Sequence, residues 1–269
     1  MVTVFDEGER RTWSGRAAAY ADSFAGLCAH PVPRLLGAAG VREGVRVLDV
    51  GTGTGTVAAA ACARGAVVTA VDAEPSMVEL AARNAPGADV RLAVLPELPF
   101  SDGEFDAVVG NFVLNHVGRP RDAMDELRRV VRPGGTVAVT IWAVPAASGQ
   151  ELLGRAVRAA GVGRPPGRPP LAPEDDFPRD PEGLSALMAG AGLREASCET
   201  IRWDHRVGAE QWWSGPAAGV AFIGQVLLSQ PERVRAAIKD QFDLLSREFT
   251  GPDGRLVLPH AALLAHARR

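Results

Sequence analysis

Hydrophobic positions along this chain follow two rhythms. Between residues 46 and 142, short and nearly continuous apolar runs take turns with stretches whose apolar residues recur every three or four positions. The runs at 46–50 (RVLDV), 66–72 (AVVTAVD), 88–94 (ADVRLAV), 105–112 (FDAVVGNF) and 136–142 (TVAVTIW) predict five strands. The intervening stretches predict helices: alanine-rich 55–64, 74–84 with Pro75 in its first turn, and 119–131, where Ala123, Leu127, Val130 and Val131 share a face. The RPGG at 132–135 is read as the stop of the last of these. Strands without polar alternation, spaced by helices of this length, imply parallel crossovers covered on both faces.

After residue 143 the rhythm loosens. Helices are expected over 148–160 and 183–193, a proline-rich irregular loop over 163–181, and an alternating strand in REASCETIRWDHRV at 194–207. A helical insertion follows at 209–249, its last part spacing Val234, Ile238, Phe242 and Leu245 by roughly one turn. The chain closes on a strand after an Asp-Gly turn. One domain spans 1–269: an N-terminal helical lid (1–40), a ligand-binding core (41–142), a variable region with the sixth strand (143–206), a helical cap (207–250) and a final strand (251–269).

Composition narrows the class. The 269 residues are 46% hydrophobic and 23% charged, enough for a sizeable core. A net charge of −3 argues against nucleic acid as an obligatory partner, because phosphate binding needs a basic footprint. Three scattered cysteines with no C-x-x-C pair read as buried thiols of a reducing compartment. The start MVTVFDEGERR does not read as a signal peptide, and no apolar stretch approaches the ~20 residues of a membrane span, so a cytoplasmic protein is expected.

The chemistry concentrates in VLDVGTGTGTV at 47–57, where a strand breaks into glycines. A triphosphate loop would need a lysine that is absent. A dinucleotide fingerprint would want glycine or alanine where Thr56 stands. Asp49, two positions before Gly51, would repel a pyrophosphate but favours a cationic amino-acid moiety, directly or through water. Asp72 ends the second strand, where a carboxylate can accept from both ribose hydroxyls.

At these residues the chain resembles the class I S-adenosylmethionine-dependent methyltransferases, in particular the group similar to the ubiquinone and menaquinone C-methyltransferases. The resemblance covers roughly residues 40–142 through VLDVGTGTGTVA, AVDAEPSMVELA, LPFSDGEFDAVVGNFVLNHV and RRVVRPGGTVAVTIW, in that order. It implies a Rossmann-like, doubly wound α/β fold: a mostly parallel seven-stranded sheet with one antiparallel strand, helices on both faces and a helical cap insertion. It implies S-adenosylmethionine as cofactor, S-adenosylhomocysteine as product, and a small-molecule substrate.

The resemblance further implies roles for individual residues. Gly51, Thr52 and Gly53 would approach the methionyl part, with Asp49 beside them. Asp72 would hold the ribose, and Ala73 and Met77 the adenine face. Val94 and Leu95 stand where the family usually carries an aspartate for the adenine amino group, a departure expected to cost one hydrogen bond, about 0.5–1.5 kcal/mol. Asn111 would sit where cofactor and substrate meet. In the first helix, Trp13, Arg16 and Tyr20 lie on roughly one face, and such helices close over the cofactor in relatives. His116 in LNHV is the candidate general base, weighed against a packing role. Trp13, Asn115, Trp142, Trp203, His205, Trp212 and Trp213 are the candidate substrate residues. His30, His260 and His266 are read as structural. No metal-ligating cluster is expected. A membrane partner is not expected either, and a second copy of the chain, as a homodimer, stays open.

Two other readings stand beside methyl transfer to a small apolar or aromatic metabolite. One is a protein of the same fold that binds S-adenosylmethionine but catalyses cyclisation or rearrangement, or only binds. The other is an NAD(P)-dependent oxidoreductase, against which Thr56 and Asp49 speak.

Overall fold

In the computed structural model, residues 3–163 and 170–269 are described; the part of the expected proline-rich loop at 164–169 lies outside them. Four short helices lead the chain: α1 (Val4–Trp13), α2 (Ala17–Asp22), α3 (Ala25–Cys28) and α4 (Val32–Ala38). The alternating core follows as β1 (Arg46–Val50), α5 (Thr56–Cys62), β2 (Val67–Asp72), α6 (Pro75–Asn84), β3 (Asp89–Leu92), β4 (Phe105–Asn111), α7 (Pro120–Val130) and β5 (Val131–Trp142). The second half comprises α8 (Ser148–Ala159), α9 (Pro181–Gly190), β6 (Arg194–Val207), α10 (Ala209–Ala217), α11 (Ala221–Leu228), α12 (Glu232–Ser246) and β7 (Leu256–Arg268).

The strands form one seven-stranded sheet in the order β3-β2-β1-β4-β5-β7-β6. β7 is inserted antiparallel between β5 and β6, and the core strands β1 to β5 are parallel. Parallel order reverses between β1 and β4, which opens a crevice at their carboxyl ends, where ligands of such sheets bind. Burial of β1 and β4 on both faces explains their nearly continuous apolar runs: Val47, Leu48, Val108 and Val109 are fully enclosed between helix layers. One layer of the core gathers Leu35, Leu36, Val57, Ala58, Leu152, Trp212 and Phe242, and the other Leu48, Met124, Leu127, Ile141, Leu184 and Met188.

Three expectations change here. RPGG does not separate helix from strand, because β5 already begins at Val131 and carries these residues through a register shift against β4, with Gly134 at φ +76°. Val131 therefore belongs to the sheet and not to the α7 face. The first helix is also two: the chain breaks at Ser14–Arg16, with Gly15 at φ +67°, so Trp13, Arg16 and Tyr20 do not share one helical face. The three cysteines are free and only partly buried, unlike the enclosed thiols expected.

Gly55 shows how the turn after β1 is built. It caps α5 at φ +86°, and a Cβ there would stand 2.9 Å from the Ala81 Cα on α6. Strain and backbone clash together give an expected loss of about 2–4 kcal/mol for Gly55→Ala, readable as a lower urea midpoint.

Candidate active site

A cavity of about 740 Å³ opens at the carboxyl ends of β1, β2 and β4, under α1 to α3 and the start of α11. This is the size of a small-molecule site. Its wall divides by chemistry. At one end lie the glycine loop (Gly51, Gly53), Asp72, Ala73, Glu74, Met77, Val94 and Leu95; at the other lie Phe112, Trp142, Trp212 and His260. Asn111, Val113 and His116 also line it.

The glycine loop comes close because it carries no side chains. At Gly51, φ is +71° and a Cβ would meet Val113 Cγ2 at 2.5 Å, so only glycine lets the two walls approach. The Gly51 and Thr52 N–H groups donate to the Val71 carbonyl at 2.9 and 3.0 Å, tying the loop to β2. Asp72 holds it from the other side: one carboxylate oxygen accepts from Gly53 N–H at 2.8 Å and the other from Glu74 N–H at 3.0 Å. Burial raises the Asp72 carboxyl from its ordinary value, against the hydrogen bonds from the backbone N–H groups. Each oxygen keeps a further lone pair for a ligand hydroxyl. Glu74 in turn caps α6 through Met77 N–H and accepts from Gly15 N–H at 3.1 Å, pinning the α1–α2 break over the site.

His116 ends a 3₁₀ turn at Val113–His116, one residue after Phe112, whose φ of +62° turns the chain sharply out of β4. His116 Nδ1 lies 2.6 Å from Glu9 Oε2, and Glu9, on α1, is only 7% exposed. Trp13 Nε1–H donates to the same carboxylate oxygen at 3.3 Å, and its ring meets the His116 ring edge-to-face at 5.2 Å. A carboxylate at Nδ1 makes that nitrogen the donor and leaves Nε2 free to take a proton. Asp6 adds a third tie, accepting from Gly118 N–H at 2.7 Å. α1 thus both covers His116 and engages its Nδ1.

The electrostatics favour a cation. Four carboxylates line the cavity (Asp6, Glu9, Asp72 and Glu74) against one guanidinium, Arg10. A fifth carboxylate, Asp49, lies behind the loop, fully buried, with one oxygen accepting from Thr52 Oγ1–H at 2.6 Å. Its other oxygen has no hydrogen-bond partner among the described residues, and burial pushes the carboxyl up to about 7.

Of the expected cofactor residues, Tyr20, Gly51, Gly53, Asp72, Ala73, Met77, Val94, Leu95 and Asn111 line the cavity, as do His116, Trp13, Trp142 and Trp212. Others are placed elsewhere. Asp49 and Thr52 sit beneath the loop, so no direct contact joins Asp49 to the cavity. Arg16 is turned towards Gly219, where a Cβ would stand 3.1 Å from its guanidinium. Asn115 donates to the Phe112 carbonyl at 3.2 Å and stays off the wall. Trp203 stacks on His30 at 5.2 Å, behind Trp142. His205 packs against Trp212 from outside the cavity, and Trp213 against Phe242 in the cap interior. Asn111 is itself engaged, donating to the Cys28 carbonyl at 2.8 Å and accepting from Thr140 Oγ1–H at 2.6 Å. The sequence reading missed Glu9, Glu74, Gln150 and His260, all on the wall. Glu9 lies one helical turn before Trp13, but its partner is 107 positions away and no local pattern points to it.

With this geometry in place, comparison with known proteins defines the class. Residues 48–139 match the Methyltransf_11 model, described as a methyltransferase domain. Residues 48–139 thus carry a methyltransferase domain, set in a Rossmann-like sheet. Among curated proteins it is similar to a demethylmenaquinone methyltransferase from Clavibacter sepedonicus, 43% identical over 105 residues, 38% of this chain and 43% of the relative. The chain spans about half the length of the curated relatives it matches. Among solved structures, the Bacillus subtilis YcgJ protein superposes with TM-score 0.55 and 19% identity, over 89% of this chain and 98% of that one. Haemonchus contortus phosphoethanolamine N-methyltransferase 2, in complex with phosphomonomethylethanolamine and S-adenosylhomocysteine, does so with TM-score 0.54 and 17% identity, over 89% of this chain and 52% of that one. These two likenesses show the fold. No helix among the described residues is long and apolar enough to cross a membrane.

Proposed function

We propose that this chain transfers a methyl group from S-adenosylmethionine to a small, apolar or aromatic metabolite, with His116 as general base. One observation carries the reading. A single cavity joins an acid-lined end at the glycine loop to an aromatic end, with the Glu9–His116 pair on its wall.

The acid-lined end fits the cofactor. Gly51 and Gly53 leave room for the methionyl part, whose ammonium and sulfonium charges suit the four carboxylates. Asp72 is placed to accept from ribose hydroxyls, and Ala73, Met77, Val94 and Leu95 offer apolar surface to the adenine. No carboxylate stands on the 93–95 wall, so the adenine amino group is read there by no acidic side chain. When bound, S-adenosylmethionine supplies a methyl group on an already activated leaving group. The residues of this chain then have three tasks: to align the acceptor, to keep water out, and to take the acceptor's proton where it has one to lose. Alignment is the larger contribution, up to ~7–11 kcal/mol in favourable cases. His116 Nε2 takes the proton, while Glu9 holds Nδ1–H and balances the imidazolium charge.

The acidic lining also disfavours a dinucleotide, whose pyrophosphate would meet like charge. The test is incubation with S-adenosylmethionine and a panel of phenols and enolisable ketones, followed by mass spectrometry. The expected result is a product one methylene heavier, formed together with S-adenosylhomocysteine. A product of unchanged mass without demethylated cofactor, or methylation of peptides or tRNA alone, overturns it.

A further inference from the structure

The aromatic end of the cavity holds two polar groups in fixed orientations. Gln150, on the first turn of α8, accepts with its side-chain oxygen from Ala147 N–H at 3.0 Å and from Ala261 N–H at 2.9 Å. Two backbone donors on one oxygen decide which end of the carboxamide is which. The NH2 group is therefore the one left for a ligand, and it has no partner among the described residues. His260 lies next to Ala261 on β7 and is 2% exposed. Its Nδ1 lies 2.8 Å from the Leu258 carbonyl, which can only accept, so Nδ1 carries the proton and Nε2 carries a lone pair. No described residue donates to Nε2.

Flat apolar surface surrounds the pair. Phe112 and Trp142 stack at 4.0 Å, and the Trp142 and Trp212 rings lie 6.1 and 5.7 Å from the His260 ring. Gln150, His260, Phe112, Trp142 and Trp212 all line the cavity. A fixed donor and a fixed acceptor on the wall of one aromatic-lined cavity match a group that both accepts and donates. A ring hydroxyl does both with one oxygen.

We propose that this end of the cavity recognises a neutral arene through a ring hydroxyl, whose oxygen accepts from Gln150 Nε2–H and whose O–H donates to His260 Nε2. The hydroxyl read here is the substrate's distal handle, not the atom presented to His116. The assignment rests on the methyl-transfer reading for its role, but on the two side chains for its chemistry. A carboxylate in the same place would meet the imidazole lone pair and lose its water. Burial lowers His260 to about 4, so the ring stays neutral and offers no positive charge in compensation.

The experiment titrates the full chain, with and without S-adenosylhomocysteine, against 2-naphthol, 2-methoxynaphthalene and naphthalene, and against the corresponding one- and three-ring sets. The hydroxyl-to-methoxy difference reads the donation to His260, and the methoxy-to-parent difference reads the acceptance from Gln150. Each hydrogen bond is expected to give about a 3- to 10-fold step in affinity in the best-fitting set. His260→Phe should abolish the first step alone. Gln150→Glu, which keeps both backbone contacts but replaces the ligand's donor by an acceptor, should abolish the second. Hydroxyl binding should also move the His260 Nε2 resonance in nitrogen NMR of the unsubstituted protein. Equal affinities across every set, or steps that survive both substitutions, overturn the proposal. Loss of S-adenosylhomocysteine binding with the arene steps intact would instead overturn the cofactor reading and leave this one standing.

Discussion

Replacing His116 by alanine is expected to lower kcat for methyl transfer to a phenolic or enolisable acceptor by about 10²- to 10⁴-fold, the usual range for a general base. Affinity for S-adenosylhomocysteine should stay within about twofold, because the glycine-loop wall remains in place. Glu9→Gln keeps an acceptor for Nδ1–H but removes the charge that balances the imidazolium, and a smaller loss of roughly tenfold follows. The order of the two effects matters as much as their size. If Glu9 acted only as a structural pin for α1, Glu9→Gln would lower the melting temperature and leave kcat unchanged. An acceptor already ionised in solution should be methylated almost equally by the parent protein and His116→Ala. Rapid-quench measurement of the methylated product across these acceptors and variants checks each point.

The second large effect is on stability. Asp49 is fully buried with one oxygen unpartnered among the described residues, and burial pushes its carboxyl up to about 7, well above the ordinary aspartate value of about 4. The folded state thus holds this proton more tightly than the unfolded chain does. The favourable contribution is fully present below the unfolded pKa and is lost as pH rises towards the folded value. By pH 8 the cost approaches about 4 kcal/mol, taking about 1.4 kcal/mol for each pH unit between the two values. Asp49→Asn carries no such proton. Its stability relative to the parent protein should therefore rise by roughly 2–3 kcal/mol between about pH 5 and pH 8, as chemical denaturation at several pH values would show. A constant difference across that range would mean that Asp49 is ionised in the folded protein throughout. A cationic ligand bound beyond the glycine loop would lower the Asp49 carboxyl and recover part of this cost.

Much of the architecture is legible in the sequence. β1 and β6 occupy the residues expected of them, 46–50 and 194–207. β1 is legible because Val47, Leu48 and Val50 are enclosed between the helix layers and so cluster as an apolar run; β6 because its exposed and enclosed positions alternate. The start of β5 was misread because Pro133 and two glycines look like a helix stop, whereas the sheet absorbs them in a register shift beside β4. The lid was misread as one helix because nothing in its spacing marks the left-handed turn at Gly15.

The site divides in the same way. Gly51, Gly53 and Asp72 are close in sequence to the strands that place them, so local spacing is enough to bring them to one wall of the cavity. Trp203, His205 and Trp213 share composition with Trp142 and Trp212, but which aromatic faces inward depends on how the cap packs, and three of these five are off the wall. Glu9 and His260 come from opposite ends of the chain to the same cavity, so only the tertiary fold brings them together. Asp49 is the sharpest case. Its type and position pointed to a role beside the ligand, whereas the structure puts it beneath the loop, where it acts through burial and Thr52.

The central claim is that the acid-lined end of the cavity holds S-adenosylmethionine. Calorimetric titration of the full chain with S-adenosylhomocysteine, alongside NADH and with Asp72→Ala as control, tests it most directly. Micromolar binding of S-adenosylhomocysteine, lost in Asp72→Ala and not matched by NADH, is the expected result. Binding of NADH in its place, or S-adenosylhomocysteine affinity unchanged by Asp72→Ala, would contradict it.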